Sequence, residues 1–189
     1  MNGYEQRTLR KKLDIINATK YLVCNYPVRN ISIEMIAKEA KVSPVTIYNI
    51  FGSKKLAINE AIRILADEDR DDILSIISSS LPIKERLYQY FNHSFNHTIE
   101  RPQQRALFEY IFSSENIDLQ NYVVSGYGIT LPFLTKLYED GRKENLIQEG
   151  ISVELFFKML DMYTRIERSF LLIPEEKDII INSIINSFH

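Results

Sequence analysis

Apolar residues recur at intervals of three and four along most of the chain, which is the period of an amphipathic α-helix. Residues 8–25 illustrate this, with Leu9, Leu13, Ile16 and Val23 on one face. No stretch alternates apolar and polar residues for long enough to predict a β-strand. The pattern therefore predicts an all-α fold of about nine helices.

Residues that favour helix ends set several of the boundaries. Ser32, Ser43 and Ser53 are each placed to cap a helix, because a serine hydroxyl can accept from the free N–H groups of the first turn. Gly52 separates the third helix from the fourth, which turns acidic at 67–72, a candidate position for a bend or break. Later helices are expected at 82–100, 102–113, 127–147, 152–172 and 174–188.

Residues 33–51 fit a helix-turn-helix. Ile47 and Phe51 are four residues apart and face inward. This leaves an outer side of the second helix that consists of Val45, Thr46, Tyr48 and Asn49. An exposed face at that place is where a recognition helix meets base edges in the major groove. The apolar contacts that lock the two helices are expected from Ile36, Ala37, Ala40, Val42, Ile47 and Phe51.

Charge is distributed unevenly along the chain. Residues 1–56 contain ten Lys and Arg against four Asp and Glu, whereas residues 57–189 contain thirteen against twenty-one. A basic segment on an acidic body is typical of a protein that binds a polyanion, although charges also fall unevenly by chance in short segments.

Composition excludes several classes of protein. The single cysteine, Cys24, excludes a disulfide framework and a multi-cysteine zinc finger. No apolar run approaches the roughly 20 residues of a membrane-spanning helix. The polar N-terminus lacks the apolar stretch of a signal peptide. These features predict a cytoplasmic protein without a membrane partner.

Two stretches of the chain resemble the tetracycline-repressor (TetR) family of bacterial transcription regulators. Residues 33–56 (IEMIAKEAKVSPVTIYNIFGSKKL) follow the family's helix-turn-helix pattern, and residues 15–23 (IINATKYLV) match its first helix. The Tyr-x-x-Phe-x-Ser-Lys core, from Tyr48 to Lys54, is specific for this family among helix-turn-helix proteins. The chain departs from the family pattern at Pro27 and Lys41, where the family commonly has glycine, so Lys41 is expected at positive φ.

The resemblance implies a DNA-binding domain over 1–52 and a ligand-binding and dimerisation domain over 53–189. In the first domain it implies that Tyr48 and Lys54 contact backbone phosphates and that bases are read by the first half of the recognition helix. Lys55 is either a further contact or a solvated residue at a helix start. The implied DNA-binding residues are Ser32, Ser43, Pro44, Val45, Thr46, Tyr48, Asn49, Lys54 and Lys55.

The second domain is rich in aromatic residues, which at helical spacing are first of all core residues. The resemblance implies that some of them, with Met159 and Met162, line a pocket for a small-molecule effector. The candidate ligand-binding residues are Tyr88, Phe91, Phe95, Phe108, Phe112, Tyr127, Phe156, Met159 and Tyr163.

The family also forms homodimers through its last two helices. Two apolar stripes near the C-terminus are candidates for such an interface, with burial inside the monomer as the alternative. The first stripe is Val153, Phe156, Phe157 and Leu160, and the second is Ile180, Ile181, Ile184, Ile185 and Phe188.

The resulting prediction is a regulator, expected to be a repressor released from a palindromic operator by a small molecule. It needs no cofactor and no catalytic residue. Two alternatives remain open at this point. One is a metal-dependent helical enzyme using His93 and His97, four residues apart, with Glu100 near the same face. The other is a helical binding module whose DNA-binding head no longer functions.

Overall fold

The computed structural model describes residues 3–100, 103–169 and 174–189, and within them every side chain except those of 97–100, 104, 105, 127, 164–169 and 174. These residues form nine α-helices and no strand, which confirms the predicted all-α fold. The helices are α1 (Gly3–Asn25), α2 (Ile33–Glu39), α3 (Pro44–Phe51), α4 (Lys54–Ser78), α5 (Ile83–Glu100), α6 (Gln104–Ile111), α7 (Ile117–Lys143), α8 (Val153–Ser169) and α9 (Lys177–Asn186). Three short 3₁₀ turns lie at Val28–Asn30, Ser114–Asn116 and Pro174–Glu176.

Packing divides the chain into two compact units. The first contains Met1–Glu68 and Pro102–Val124, and the second contains Asp69–Arg101 and Ser125–His189. Helices α4 and α7 each contribute residues to both units. The boundary predicted at 52/53 concerns function rather than packing, and it stays a prediction.

Helix α4 runs without a break through the acidic segment 67–72, where a bend or break was a candidate. The first of these acidic residues have partners on other helices. The Tyr122 hydroxyl donates to Asp67 at 2.7 Å, and the Lys20 ammonium donates to Glu68. These contacts offset the repulsion between neighbouring carboxylates, so the helix continues.

Helix α7 begins at Ile117, ten residues before the predicted start at 127, and it continues through Pro132. Two glycines, Gly126 and Gly128, weaken the helical pattern in the sequence. Within the second unit, a Cβ at Gly126 would lie 3.2 Å from Nη1 of Arg70, so the absent side chain leaves space for that guanidinium. Packing thus compensates for the low helix propensity of the segment.

The core of the first unit forms where α1 packs on α2 and α2 packs on α3. Ile15, Ile36 and Ile47 are fully buried there. The prediction of a packed apolar face on α1 is wrong for Leu9 and Leu13, which are 45% and 50% exposed. Buried side chains of α1 begin only at Ile15, because the first turns of the helix extend beyond the packed core.

The core of the second unit forms where α5 packs on α8 and α9. Aromatic rings dominate it, and the rings of Phe91 and Tyr163 meet edge to face with centroids 6.2 Å apart. The two C-terminal stripes predicted as a dimer interface largely belong to this core, because α9 covers α5 in the monomer. The stripe residues that are buried are Phe156, Leu160, Ile181, Ile184, Ile185 and Phe188.

No helix among the described residues is both long enough and apolar enough to cross a membrane.

A buried arginine joins α5 to α7 in the second unit. Arg86 is only 5% exposed. Its Nη1 donates to the carbonyl of Ile77 at 3.1 Å and to the Asp140 carboxylate at 3.0 Å. Glu144 accepts from the backbone N–H of Ile83 at 3.0 Å, which satisfies a free donor at the start of α5.

We expect Asp140→Ala to lower the free energy of unfolding by about 3 kcal/mol, because it removes the carboxylate that is hydrogen-bonded to the buried Arg86 and leaves only Glu144, 4.0 Å from its Nη2. Lys143→Ala is the matched control, since the Lys143 ammonium lies 3.9 Å from the same carboxylate but is 74% exposed. The control should cost less than about 0.5 kcal/mol. Urea unfolding followed by far-UV circular dichroism measures both variants, and equal losses would contradict the assignment.

Candidate nucleic-acid interface

Two serine caps fix the starts of α2 and α3. The Ser32 hydroxyl accepts from the N–H of Met35, and the Ser43 hydroxyl accepts from the N–H of Thr46, both at 3.2 Å. Pro44 occupies the first position of α3, where its missing N–H leaves no bond unmade. The caps predicted from the sequence are confirmed.

The turn between α2 and α3 depends on one residue in the left-handed region. Lys41 has φ 54°, as predicted from its place in the pattern. This conformation lets the N–H of Val42 reach the carbonyl of Ala37 at 3.0 Å and close the end of α2. Gly52 ends α3 and also has a positive φ, of 80°, a backbone conformation that favours glycine.

Helix α3 has a sharply divided surface. Ile47 is fully buried, whereas Val45 is 64% exposed and Tyr48 is 48% exposed. Asn49 is exposed beside them. Thr46 is half-buried, and its hydroxyl lies 2.9 Å from that of Ser43. The helix therefore presents a phenol, an amide and a methyl-bearing side chain on its free side.

Lys54 also has a structural contact. Its ammonium donates to the carbonyl of Ile31 at 2.8 Å, which ties the start of α4 to the residue before the Ser32 cap. Hydrogen bonds from Ser32 and from its own backbone N–H lower the pKa of Glu34, and the Lys54 charge adds to this effect. Lys55 donates to the carbonyl of Glu115 at 2.6 Å. An ammonium has three donors, so these contacts leave others for a phosphate.

Comparison with solved structures identifies the fold. A TetR-family regulator from Mesorhizobium loti superposes with a TM-score of 0.73 at 19% identity, covering 96% of each chain. One from Marinobacter aquaeolei gives 0.66 at 21% identity, covering 97% of each. The regulator FadR from Bacillus subtilis, in complex with stearoyl-CoA, gives 0.64 at 18% identity, covering 94% of this chain and 99% of that one.

The chain has the TetR-family fold. No protein-family model and no curated protein sequence matches it. The structural likeness extends over nearly the whole chain, at sequence identities of 18% to 21%.

The residues predicted to line a TetR-like ligand pocket fall in both packing units. Phe108 and Phe112 belong to the first unit, where their rings stack with centroids 6.2 Å apart. Phe91, Phe95 and Phe156 are fully buried in the second unit. The side chain of Tyr127 lies outside the described residues.

The other candidates for the pocket lie at the edge of the second unit's core. The hydroxyl of Tyr88 donates to Asp178 at 2.6 Å, and this hydrogen bond raises the pKa of Tyr88. The hydroxyl of Tyr163 lies 2.8 Å from that of Ser187. Met159 is half-buried, whereas Met162 is 46% exposed.

His93 has a carboxylate partner. Its Nε2 lies 2.8 Å from Oδ1 of Asp69, a contact within the second unit that the histidine spacing did not predict. The side chains of His97 and Glu100 lie outside the described residues. Among the side chains that the structure describes, no three His, Cys, Asp or Glu residues are grouped so that they could hold a metal ion.

We expect Lys54→Met to speed amide exchange in α2 at least about fivefold, since it leaves the carbonyl of the buried Ile31 without its donor, a loss of about 1–3 kcal/mol. Lys55→Met is the control, because its contact with Glu115 is exposed. Hydrogen exchange resolved to α2 measures the difference. Equal exchange in the two variants would contradict a structural role for Lys54.

Proposed function

We propose that this protein is a DNA-binding transcription regulator that reads its operator through α3. The observation that carries the proposal is the divided surface of that helix. Ile47 anchors one side in the core, while Val45, Tyr48 and Asn49 are free on the other side. A capped helix fixed on its inner side and exposed on its outer side has the form that major-groove recognition requires.

The exposed groups suit the two kinds of DNA contact. Asn49 can pair bidentately with adenine, and the methyl groups of Val45 can meet a thymine methyl. Pro44 and Thr46 lie on the same first turns, and Thr46 offers its methyl because its hydroxyl is close to that of Ser43. The phenol of Tyr48 would donate to a phosphate, which positions the protein without selecting a sequence.

Further phosphate contacts are proposed at the helix starts. Ser32 and Ser43 lie at N-termini, where free N–H groups and the helix dipole favour an anion. Lys54 and Lys55 follow at the start of α4. Because these groups neutralise phosphates, affinity should fall steeply as salt rises.

A homodimer through α8 and α9 would supply two recognition helices for a palindromic operator. The C-terminal stripes are largely buried in the monomer, so the support for this dimer is a set of apolar side chains that the monomer leaves exposed. Leu155 and Met162 on α8 are 43% and 46% exposed, and Ile179 on α9 is 69% exposed. The two recognition helices would then enter successive major grooves about 34–36 Å apart.

The same proposal includes repression relieved by a small-molecule effector in a bacterial cytoplasm. The FadR structure contains stearoyl-CoA, which supports a ligand site somewhere in this fold. An effector that binds better to a conformer with misplaced recognition helices would release the operator. The second unit, with its buried aromatic rings, is the proposed location.

The direct test is selection of duplexes from a random-sequence pool by the purified protein at about 150 mM salt, where non-specific binding is weak. Recovery of an inverted repeat is the expected result. Absence of any enriched sequence, with the protein folded and free of ligand by mass spectrometry, would contradict the proposal and favour a binding module with a non-functional head.

On the selected duplex, Tyr48→Phe should weaken binding to all sequences, whereas Asn49→Ala should lose about 1–3 kcal/mol of discrimination at one base position. Gln148→Ala, at an exposed position between α7 and α8, is the control and should bind as the parent protein does. Fluorescence anisotropy on single-base variants of the operator measures all three. A uniform loss from both α3 variants would contradict the assigned roles.

For the dimer, Met162→Glu should shift the protein from twice the 22.2 kDa chain mass to the monomer in sedimentation velocity, because it places a charge in an apolar contact. Ile129→Glu is the matched control, since Ile129 is 53% exposed but lies on α7. Dissociation by the control alone would assign the interface to α7 instead, and a monomeric parent protein would exclude the dimer.

A further inference from the structure

A groove of about 760 Å³ lies between the first half of α1 and the turn that follows α2. Arg7, Arg10 and Lys11 line it from α1, and Lys41 lines it from the turn. Two carboxylates, those of Asp14 and Glu39, also line it, so basic groups outnumber acidic groups by four to two. All of these residues belong to the first packing unit.

The basic side chains of this groove are available to a ligand. Arg10, Lys11 and Lys41 are exposed, and none of them forms an ion pair with any side chain that the structure describes. Arg7 has only a local contact, from its Nε to the carbonyl of Gly3. Four cations around one groove repel each other, so an anionic partner would lower their mutual repulsion.

The position of the groove identifies which anion it fits. Lys41 and Val42 line the groove and directly precede Ser43, which caps the proposed recognition helix. The groove is therefore continuous with the surface that would enter the major groove. On α1, Arg10 and Lys11 follow Arg7 by three and four residues, which puts their Cβ atoms about 5–6 Å from that of Arg7. Such a cluster of cations suits several neighbouring phosphates better than a single one.

We propose that this groove binds the sugar–phosphate backbone of the same duplex, beside the major groove that α3 reads. The inference rests on the proposed function and extends the DNA interface to α1. Its contacts are with phosphates, so they add affinity and fix orientation without selecting a sequence. Asp14 and Glu39 oppose the contact, because each brings a negative charge near the phosphates.

The first test compares Arg10→Gln/Lys11→Gln with the control Lys84→Gln/Lys136→Gln, which removes the same charge from exposed positions on α5 and α7, away from the proposed dimer helices. We expect the groove variant to reduce the slope of log K against log salt by about 0.9 for each phosphate that it no longer neutralises. Its affinity should fall equally on the selected operator and on an unrelated duplex. The control should leave the slope close to that of the parent protein.

A second pair of variants tests the groove without removing any basic side chain, and the groove variant of this pair is expected to bind DNA more tightly. Asp14→Asn/Glu39→Gln should strengthen binding to both duplexes, and Asp71→Asn/Glu149→Gln, with the same charge change at exposed positions of the second unit, should not. Unchanged thermal unfolding of each variant excludes a folding defect as the cause.

The outcomes separate this inference from the proposed function. A parent protein that binds no duplex overturns both. A parent that binds DNA while the groove variant behaves like its lysine control overturns the groove alone. Loss of adenosine triphosphate binding by the groove variant, with an unchanged salt slope on DNA, also overturns it, because the groove would then be a small-anion site.

Discussion

The helix-turn-helix, residues 33–51, depends on the burial of Ile36 and Ile47 between two helices that are too short to be stable alone. Helix α2 has seven residues and α3 has eight, well below the length at which an isolated helix persists in water. Their shape therefore comes from packing against α1 and from the serine caps at each start. Because Ile47 fixes one side of α3, the orientation of Val45, Tyr48 and Asn49 is fixed with it. The proposed recognition surface is a consequence of the core beneath it.

Much of the helix-turn-helix could be predicted from the sequence because the residues that determine it are close together in the chain. A serine before an apolar run, a proline at the first helical position and a pair of inward residues four apart each act within a single turn. The positive φ of Lys41 is different, since it is expected from the resemblance to the TetR family, which commonly has glycine at that position. The contact between Lys54 and Ile31 could not be predicted in this way, since 23 residues separate the two and no spacing rule connects them.

The remaining errors also arise where a contact is not local. Leu9 and Leu13 have the helical period of a buried face, but α1 extends beyond the core that would cover them. Ile181 and Ile185 have the pattern of an interface helix, but α5 covers them within the monomer. Periodicity identifies which side of a helix is apolar. It cannot identify which surface, if any, lies against that side.

The packing of the second unit constrains any regulation by a small molecule. Phe91, Phe95 and Phe156 are fully buried, and the rings of Phe156 and Phe188 have centroids 5.3 Å apart. An effector that enters among these rings must replace contacts that the free protein already makes. The apparent Kd of the effector then equals its intrinsic Kd divided by the fraction of molecules that are open to it. Binding is in this way coupled to a change of conformation. A closed aromatic core is therefore compatible with the proposed regulation, because an effector that displaces packed side chains would favour a different conformer, and that conformer could differ in its affinity for DNA.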